Sequence, residues 1–338
     1  MENFDYAIVE EAAKQLYIKA LCDLPPDVRE ALKKAYARET QPAARSIFEA
    51  MFKAIEIADT KKTLLCQDTG LPIYKVKIGS GYTWNGAKIK AALYEGAKRA
   101  TVEFPFRSSA THDITRVNPQ TSVGPGLPVT YFDFDGERSD LDILMMPKGS
   151  GSENMSKMHM FYPQHGIKAV KKFILDTVVE SSANPCPPGI IGVGLGGTAD
   201  LVMKLAKDAI ARPVGQRNPD PLIAEMEEEL EEAINATGRG PMGLGGDVSC
   251  LAVHIECAYT HITQNPVAVN TQCWPARSSR PRATWPTATN KGEREDEQGT
   301  SPHVAFFRRG HPQSARRGHR LLRRPVVRHP GPDPNPHL

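Results

Sequence analysis

The sequence predicts a mixed α/β (α+β) fold. An N-terminal helical layer is followed by a mixed sheet with flanking helices, and then by a disordered or aberrant C-terminal tail. Three observations carry this prediction. Apolar residues up to about position 60 recur at helical spacing. Beyond that point, runs of period two alternate with runs of helical period. After Arg277 both periodicities vanish.

The elements follow in order. Over 5–22, Ile8, Val9, Ala12, Ala13, Leu16, Ala20 and Leu21 fall mostly on one helical stripe. Pro25-Pro26-Asp27 opens a second helix through Arg38, since proline is tolerated in a first turn. A third spans 42–59, with Ile47, Met51, Ile55 and Ile57-Ala58 apolar. Ile73-Tyr74-Lys75-Val76-Lys77-Ile78 alternates and ends at glycine, so it is a strand. Helix returns over 86–103. Strands follow at Val129–Phe134 and Leu141–Met146, and a helix at 164–182. Ile190–Leu195 is a short apolar strand that leads through glycines into a helix ending near Ala211. Glu225–Ala236 is an acidic helix, and Val248–Tyr259 the last predicted strand.

Composition narrows the function. The 338 residues are 40% hydrophobic and 24% charged, as in a soluble globular chain. No run approaches the ~18 apolar residues of a membrane span. The N-terminus lacks the basic and apolar segments of a secretory leader. Six scattered cysteines do not make a disulfide framework in a chain this long, which points to a reducing, cytoplasmic setting. Residues 278–338 differ in kind: eleven Arg and one Lys face five acids, with nine of the 28 prolines and five of the ten histidines. That composition cannot bury enough apolar surface to offset chain entropy. It resembles the product of a shifted reading frame, and it lacks the aromatic interleaving of a nucleic-acid site. The chain therefore divides at 277 into a folded domain, 1–277, and a tail, 278–338.

Three cysteines sit in loops: Cys66 in Cys-Gln-Asp-Thr-Gly, Cys186 between prolines, and Cys273 in Gln-Cys-Trp. Cys22, Cys250 and Cys257 lie at a helix end or in an apolar strand, where a thiol is a small hydrophobe. No Cys-x-x-Cys run of the ferredoxin kind is present. Three distant thiolates suit a cluster with one iron left open, or a zinc ion. Gly192, Gly194 and Gly197 form a literal G-x-G-x-x-G after a strand. The stretch where a ribose-binding acid belongs, Ala211–Arg217, is instead a turn, which argues against a dinucleotide. The glycine- and serine-rich loop Pro147–Ser156 is either a plain connection or a backbone cradle for an anion. Arg107 beside Phe104-Pro105-Phe106 is either a solvated arginine or a clamp for a carboxylate.

Taken together, Cys66-Gln67-Asp68-Thr69-Gly70, Gly151-Ser152-Glu153-Asn154, Cys186-Pro187-Pro188-Gly189, Gly194-Leu195-Gly196-Gly197-Thr198, Val253-His254-Ile255-Glu256, His261 and Cys273-Trp274 resemble the iron–sulfur-dependent class I fumarate hydratase family, in its α-subunit form. The resemblance covers residues 10–277. It implies a 4Fe–4S cluster on Cys66, Cys186 and Cys273, substrate contacts at Gln67, Arg107 and Gly151, and a catalytic pair of Asp68 and His261. The family's Asn-Thr-Gly stretch after the arginine is replaced by Asn118-Pro119-Gln120-Thr121, so no role carries over there. The implied reaction is reversible hydration of fumarate to L-malate, the open iron acting as Lewis acid. Dehydration of L-tartrate is the alternative within the family, and the glycine loops favour fumarate. A non-catalytic metal-binding relative is the alternative of another class. A β subunit is expected as partner in a hetero-oligomer, supplying the base for the carbon-bound proton, so that the chain alone is inactive. Neither nucleic acid nor membrane is expected to bind.

Overall fold

The computed structural model describes residues 4–281. The helical layer consists of α1 (Ala7–Cys22), α2 (Pro26–Arg38) and α3 (Pro42–Lys61). Prolines sit in the first turns of α2 and α3, where a missing N–H costs nothing. Next come β1 (Leu71–Gly79), α4 (Gly86–Glu103), β2 (Val129–Asp135), β3 (Leu141–Lys148) and the single turn α5 (Ser150–Glu153). The remainder is β4 (Lys157–Phe161), α6 (Gly166–Ser181), β5 (Gly189–Leu195), α7 (Ala199–Ala209), α8 (Pro221–Asn235), β6 (Cys250–Cys257) and β7 (Asn265–Gln272). No helix among the described residues is long and apolar enough to cross a membrane.

The α+β class holds, but the strands divide between two sheets. One has the order β2-β1-β3, with β1 parallel to β2 and antiparallel to β3. The other has the order β4-β7-β5-β6, with β5 parallel to β6 and antiparallel to β7. α1 and α4 cover the first sheet: Val9, Ala13, Leu16, Ile89 and Leu93 bury against Tyr74, Ile143 and Met145. α2 and α3 join the two sheets through Leu32, Phe48 and Met51, which share a core with Ile73, Met146, Ile190 and Trp274. α6 and α8 cover one face of the second sheet, where Ile174, Val178 and Leu230 meet Ile191, Val193 and Val269.

The other face of that sheet explains the glycine run. Gly192 and Gly194 lie inside β5, not in a loop at its end. A Cβ on Gly194 would stand 2.1 Å from the Val202 carbonyl oxygen of α7, and one on Gly192 would stand 2.3 Å from that of Ala206. These glycines let a helix lie directly on the strand, which is a packing role rather than a phosphate cradle.

The packed chain also runs past the expected boundary at Arg277. Ser279 is buried and exchanges backbone hydrogen bonds with Met145 of β3. Arg280 pairs with Asp142. From residue 282 onward, the expected tail lies outside the described residues.

Candidate active site

The site is built from five chain segments that the two sheets bring together. After α3, Leu65 is buried and its N–H donates to the Leu21 carbonyl. This pins the segment that carries Cys66, Gln67 and Asp68. The Asp68 carboxylate accepts from the N–H of Gly70 at 2.9 Å and from the N–H of Ser150 at 3.0 Å. Thr69 is buried, and its hydroxyl donates to the Arg107 carbonyl. In return the Arg107 Nε donates to the Gln67 carbonyl at 3.1 Å. Gln67 and Arg107 are both exposed and thus stand side by side.

The Gly149–Ser152 turn packs between two of the cysteine segments. A Cβ on Gly149 would lie 2.9 Å from the Asp68 carboxylate. One on Gly151 would lie 2.5 Å from the Asn184 carbonyl oxygen, two residues before Cys186. Cys186 itself takes a left-handed conformation (φ 54°), and its carbonyl accepts from the Trp274 N–H at 3.0 Å. That bond clasps the Cys186 segment to the Cys273 segment at the end of β7.

Charge ties the three thiols together. Burial raises the Cys186 thiol, and the charges of Cys273, Cys66 and Asp68 push it further in the same direction. Burial also raises Cys273, with Arg277 and Lys148 opposing and Cys66 and Asp68 adding to the rise. Cys22 and Cys257 are each pushed up to about 11, chiefly by burial, and feel none of these three.

Comparison with known proteins agrees with this arrangement. Residues 10–282 match the family model described as fumarate hydratase (fumerase). The chain belongs to that family. Among its relatives is a putative L(+)-tartrate dehydratase subunit alpha of Methanocaldococcus jannaschii, 41% identical over 271 residues, covering 80% of this chain and 95% of the relative. The L(+)-tartrate dehydratase subunits alpha of Escherichia coli K12 and of Shigella boydii serotype 4 are each 34% identical over 254 residues, covering 75% of this chain and 84% of theirs. This is the class I, α-subunit branch of the fumarate hydratase family.

Of the residues expected at the site of this fumarase-family chain, Cys66, Gln67, Asp68, Arg107, Gly151, Cys186 and Cys273 are linked by the contacts above. His261 is not. It lies before β7, whereas Cys273 lies after it, and the eight residues of that strand span about 25 Å. Its Nδ1 meets the Thr263 hydroxyl at 2.9 Å, and the Asp68 carboxylate is taken by Gly70 and Ser150. The expected Asp68–His261 pair does not form within one chain. The reason is the antiparallel strand between His261 and Cys273, which the sequence reading did not contain.

Three other residues, given no role from the sequence, join the site. Lys148, at the end of β3, is 3% exposed and is pulled down to about 8 by burial. Its Nζ donates to the Ser152 hydroxyl at 2.6 Å and pairs with Glu153. Glu153 also pairs with Lys207 and accepts from Asn270 of β7. Arg277 is buried and donates to the Asp68 carbonyl. The signal was available: a lysine closing an apolar strand, and an arginine four residues after the last loop cysteine.

The donor set suits an iron–sulfur cluster. The three thiols are free, and two buried cations face Cys273. A buried Arg277 Nε has no hydrogen-bond partner. Among the described residues no group of three His, Cys, Asp or Glu is gathered around a single metal ion. A cubane asks for a looser spacing, because each cysteine holds its own iron. The cavity of about 260 Å³ between α2 and β6 is a different place. Charges of both signs line it, including Glu30, Arg38, Arg217 and Glu231, and none of the expected site residues do.

Proposed function

We propose that this chain is the α subunit of an iron–sulfur hydro-lyase acting on a small four-carbon dicarboxylate, with fumarate and L-malate as the substrate pair. The observation that carries this reading is the convergence of the Cys66, Cys186 and Cys273 segments on one another beside Asp68, Arg107 and the Gly149–Ser152 turn. Cys66, Cys186 and Cys273 would hold a 4Fe–4S cluster. When bound, it supplies a Lewis acid at the iron that has no protein ligand, which eases departure or delivery of hydroxide.

The chain's own residues supply the rest. Arg107 uses its Nε on Gln67, leaving the two terminal nitrogens as a fork for a substrate carboxylate. Gln67 offers an amide beside it. Asp68 is held at a fixed place by two backbone N–H groups, so its carboxylate is set to move a proton at the substrate hydroxyl. The carbon-bound proton needs a separate base. In this reading a β subunit supplies it and closes the site against water, and the complex works in the reducing cytoplasm.

L(+)-tartrate is the second reading, and the names of the relatives favour it. The chemistry is the same: loss of water from a hydroxy-dicarboxylate, here giving an enol. The experiment that decides is anaerobic co-expression with a β subunit of the family, followed by assays with L-malate and with L-tartrate. Turnover of malate alone supports the first reading, and turnover of tartrate alone the second. A colourless complex without iron, inactive on both, would sink the hydro-lyase reading and favour a non-catalytic metal-binding relative.

A further inference from the structure

Among the described residues, one of the buried polar atoms left without a hydrogen-bond partner is the Arg277 Nε. Cys273 is followed by a tight turn in which the Ala276 N–H donates to the Cys273 carbonyl at 2.9 Å, with Ala276 at φ 40°. The turn carries the chain inward, and Arg277 ends up 1% exposed. Its Nη1 donates to the Asp68 carbonyl at 2.5 Å. Its Nε is buried without a partner. Its Nη2 is 3.5 Å from where a Cβ on Gly149 would stand, so the glycine leaves room beside it. Among the described residues no carboxylate forms an ion pair with it. The closest candidate, Asp68, already accepts from Gly70 and Ser150.

A fully buried charge without a counter-ion is among the costliest features a fold can carry. Native proteins that keep an orphaned buried donor generally do so for an ion or ligand. The ion here has to be negative, and the tight turn holds the guanidinium four residues along the chain from Cys273. A cubane held by three thiolates is a net anion. Hydrogen bonds and nearby charge are also what set the stability and potential of such a centre.

We propose that Arg277 is the built-in counter-ion of the cluster, a positioning residue whose unpaired Nε–H and buried positive charge hold the anionic centre in place. This rests on the cluster reading above and adds to it a specific group that is no ligand. Glu153 restrains Lys148, the other buried cation, through an ion pair. Arg277 has no such restraint, so its charge is the one available.

The test uses the full chain, reconstituted anaerobically with iron and sulfide, as wild type, Arg277→Gln and Arg277→Lys. In the cluster-free state Arg277→Gln should melt no lower than wild type, because it removes an unpaired buried charge. Once loaded, it should lose iron to a chelator at least tenfold faster, and its reduction potential should fall. Arg277→Lys keeps the charge and should restore most of the retention. Equal iron loss and equal potential in all three proteins would overturn the proposal while leaving the cluster intact. So would a collapse of both cluster-free variants, which would make the guanidinium a structural group. A wild type that takes up no iron would remove the cluster reading itself, and this proposal with it.

Discussion

The two ends of the four-stranded sheet carry similar residues and have different fates. At one end β5 starts at Gly189, just after Cys186, and β7 stops at Gln272, just before Cys273. At the other end β5 stops at Leu195 before two glycines, β6 stops at Cys257, and His261 follows. Each end thus offers a cysteine, glycines and polar loop residues. Only the first meets the Asp68 segment and the Gly149–Ser152 turn. Strand direction, not distance along the chain, decides which residues share a site. Cys66 is remote from Cys273 in sequence yet falls within reach of its charge, while His261 is near in sequence and a full strand away.

The largest effect expected from this contrast is all-or-none. Serine at Cys66, Cys186 or Cys273 should abolish the cluster, read as loss of iron, sulfide and the broad absorbance near ~400 nm that such centres show. Serine at Cys257, at the opposite end, or at Cys22 or Cys250 should leave all three readings intact. If Cys257→Ser emptied the protein of iron, the two ends would have been assigned the wrong way round.

A glycine at each place sharpens the point. Gly151→Ala drives a methyl into the Asn184 carbonyl and displaces the Cys186 segment. Iron retention should fall about tenfold, equivalent to roughly 1.4 kcal/mol, with little change in the melting temperature of the cluster-free chain. Gly194→Ala drives a methyl into α7 instead. Overpacking of that kind costs about 1–3 kcal/mol, so urea denaturation should show the loss while iron binding per folded chain stays the same.

Much of this was legible in the sequence, and the exceptions have physical causes. Helices α1 to α4 announce themselves by apolar stripes, and β1 and β5 by apolar runs bounded by turns. β7 does not. Its sequence, Asn-Pro-Val-Ala-Val-Asn-Thr-Gln, lacks the apolar run of a central strand. It is buried nonetheless, because Asn270 donates to Glu153 and Ser156, and Thr271 donates to the Ser152 carbonyl. The Asn270 amide nitrogen and the Thr271 hydroxyl thus find tertiary partners that no local pattern records, while Asn270 Oδ1 and Gln272 Oε1 stay buried without one. β4 is hidden for a different reason: it is a five-residue exposed edge strand, Lys-Met-His-Met-Phe, too short for its alternation to stand out. Without β7 the sequence offered no means of separating His261 from Cys273. The three loop cysteines could be singled out because proline, glycine and polar neighbours are poor company for a core thiol. Arg277 and Lys148 carry only a weak signal, their places after a loop cysteine and at the end of an apolar strand, since a lone cation in sequence reads as surface.

Between the two ends lies His254, in β6, 1% exposed, with a ring nitrogen on the Ala209 carbonyl. Burial, helped by the nearby Arg212, pulls its pKa down to about 4. An unfolded chain would protonate it near 6.5. Between those values the unfolded state binds a proton that the folded state refuses, so stability falls as pH drops through that window and levels off below it. The loss is on the order of 2–3 kcal/mol. The difference between wild type and His254→Gln, followed by urea denaturation from pH 7 to 4, should isolate this slope. Parallel curves would show that the folded protein accommodates the imidazolium.

The smallest expected effect bears most directly on the comparison. His261 is exposed and bonded to Thr263, with a full strand between it and Cys273. Its replacement by asparagine should therefore leave iron content and the rate of iron loss in the isolated chain within about twofold of wild type, a change of less than ~0.5 kcal/mol. Asp68→Asn behaves differently in this account, because Asp68 adjoins Cys66 and its charge acts on both Cys186 and Cys273. Removing that negative charge should relieve repulsion on the thiolates and measurably slow iron loss. If the two substitutions instead shifted iron retention together, and by the same amount, the histidine would reach the cluster in solution, and the separation imposed by β7 would have to be bridged by another copy of the chain.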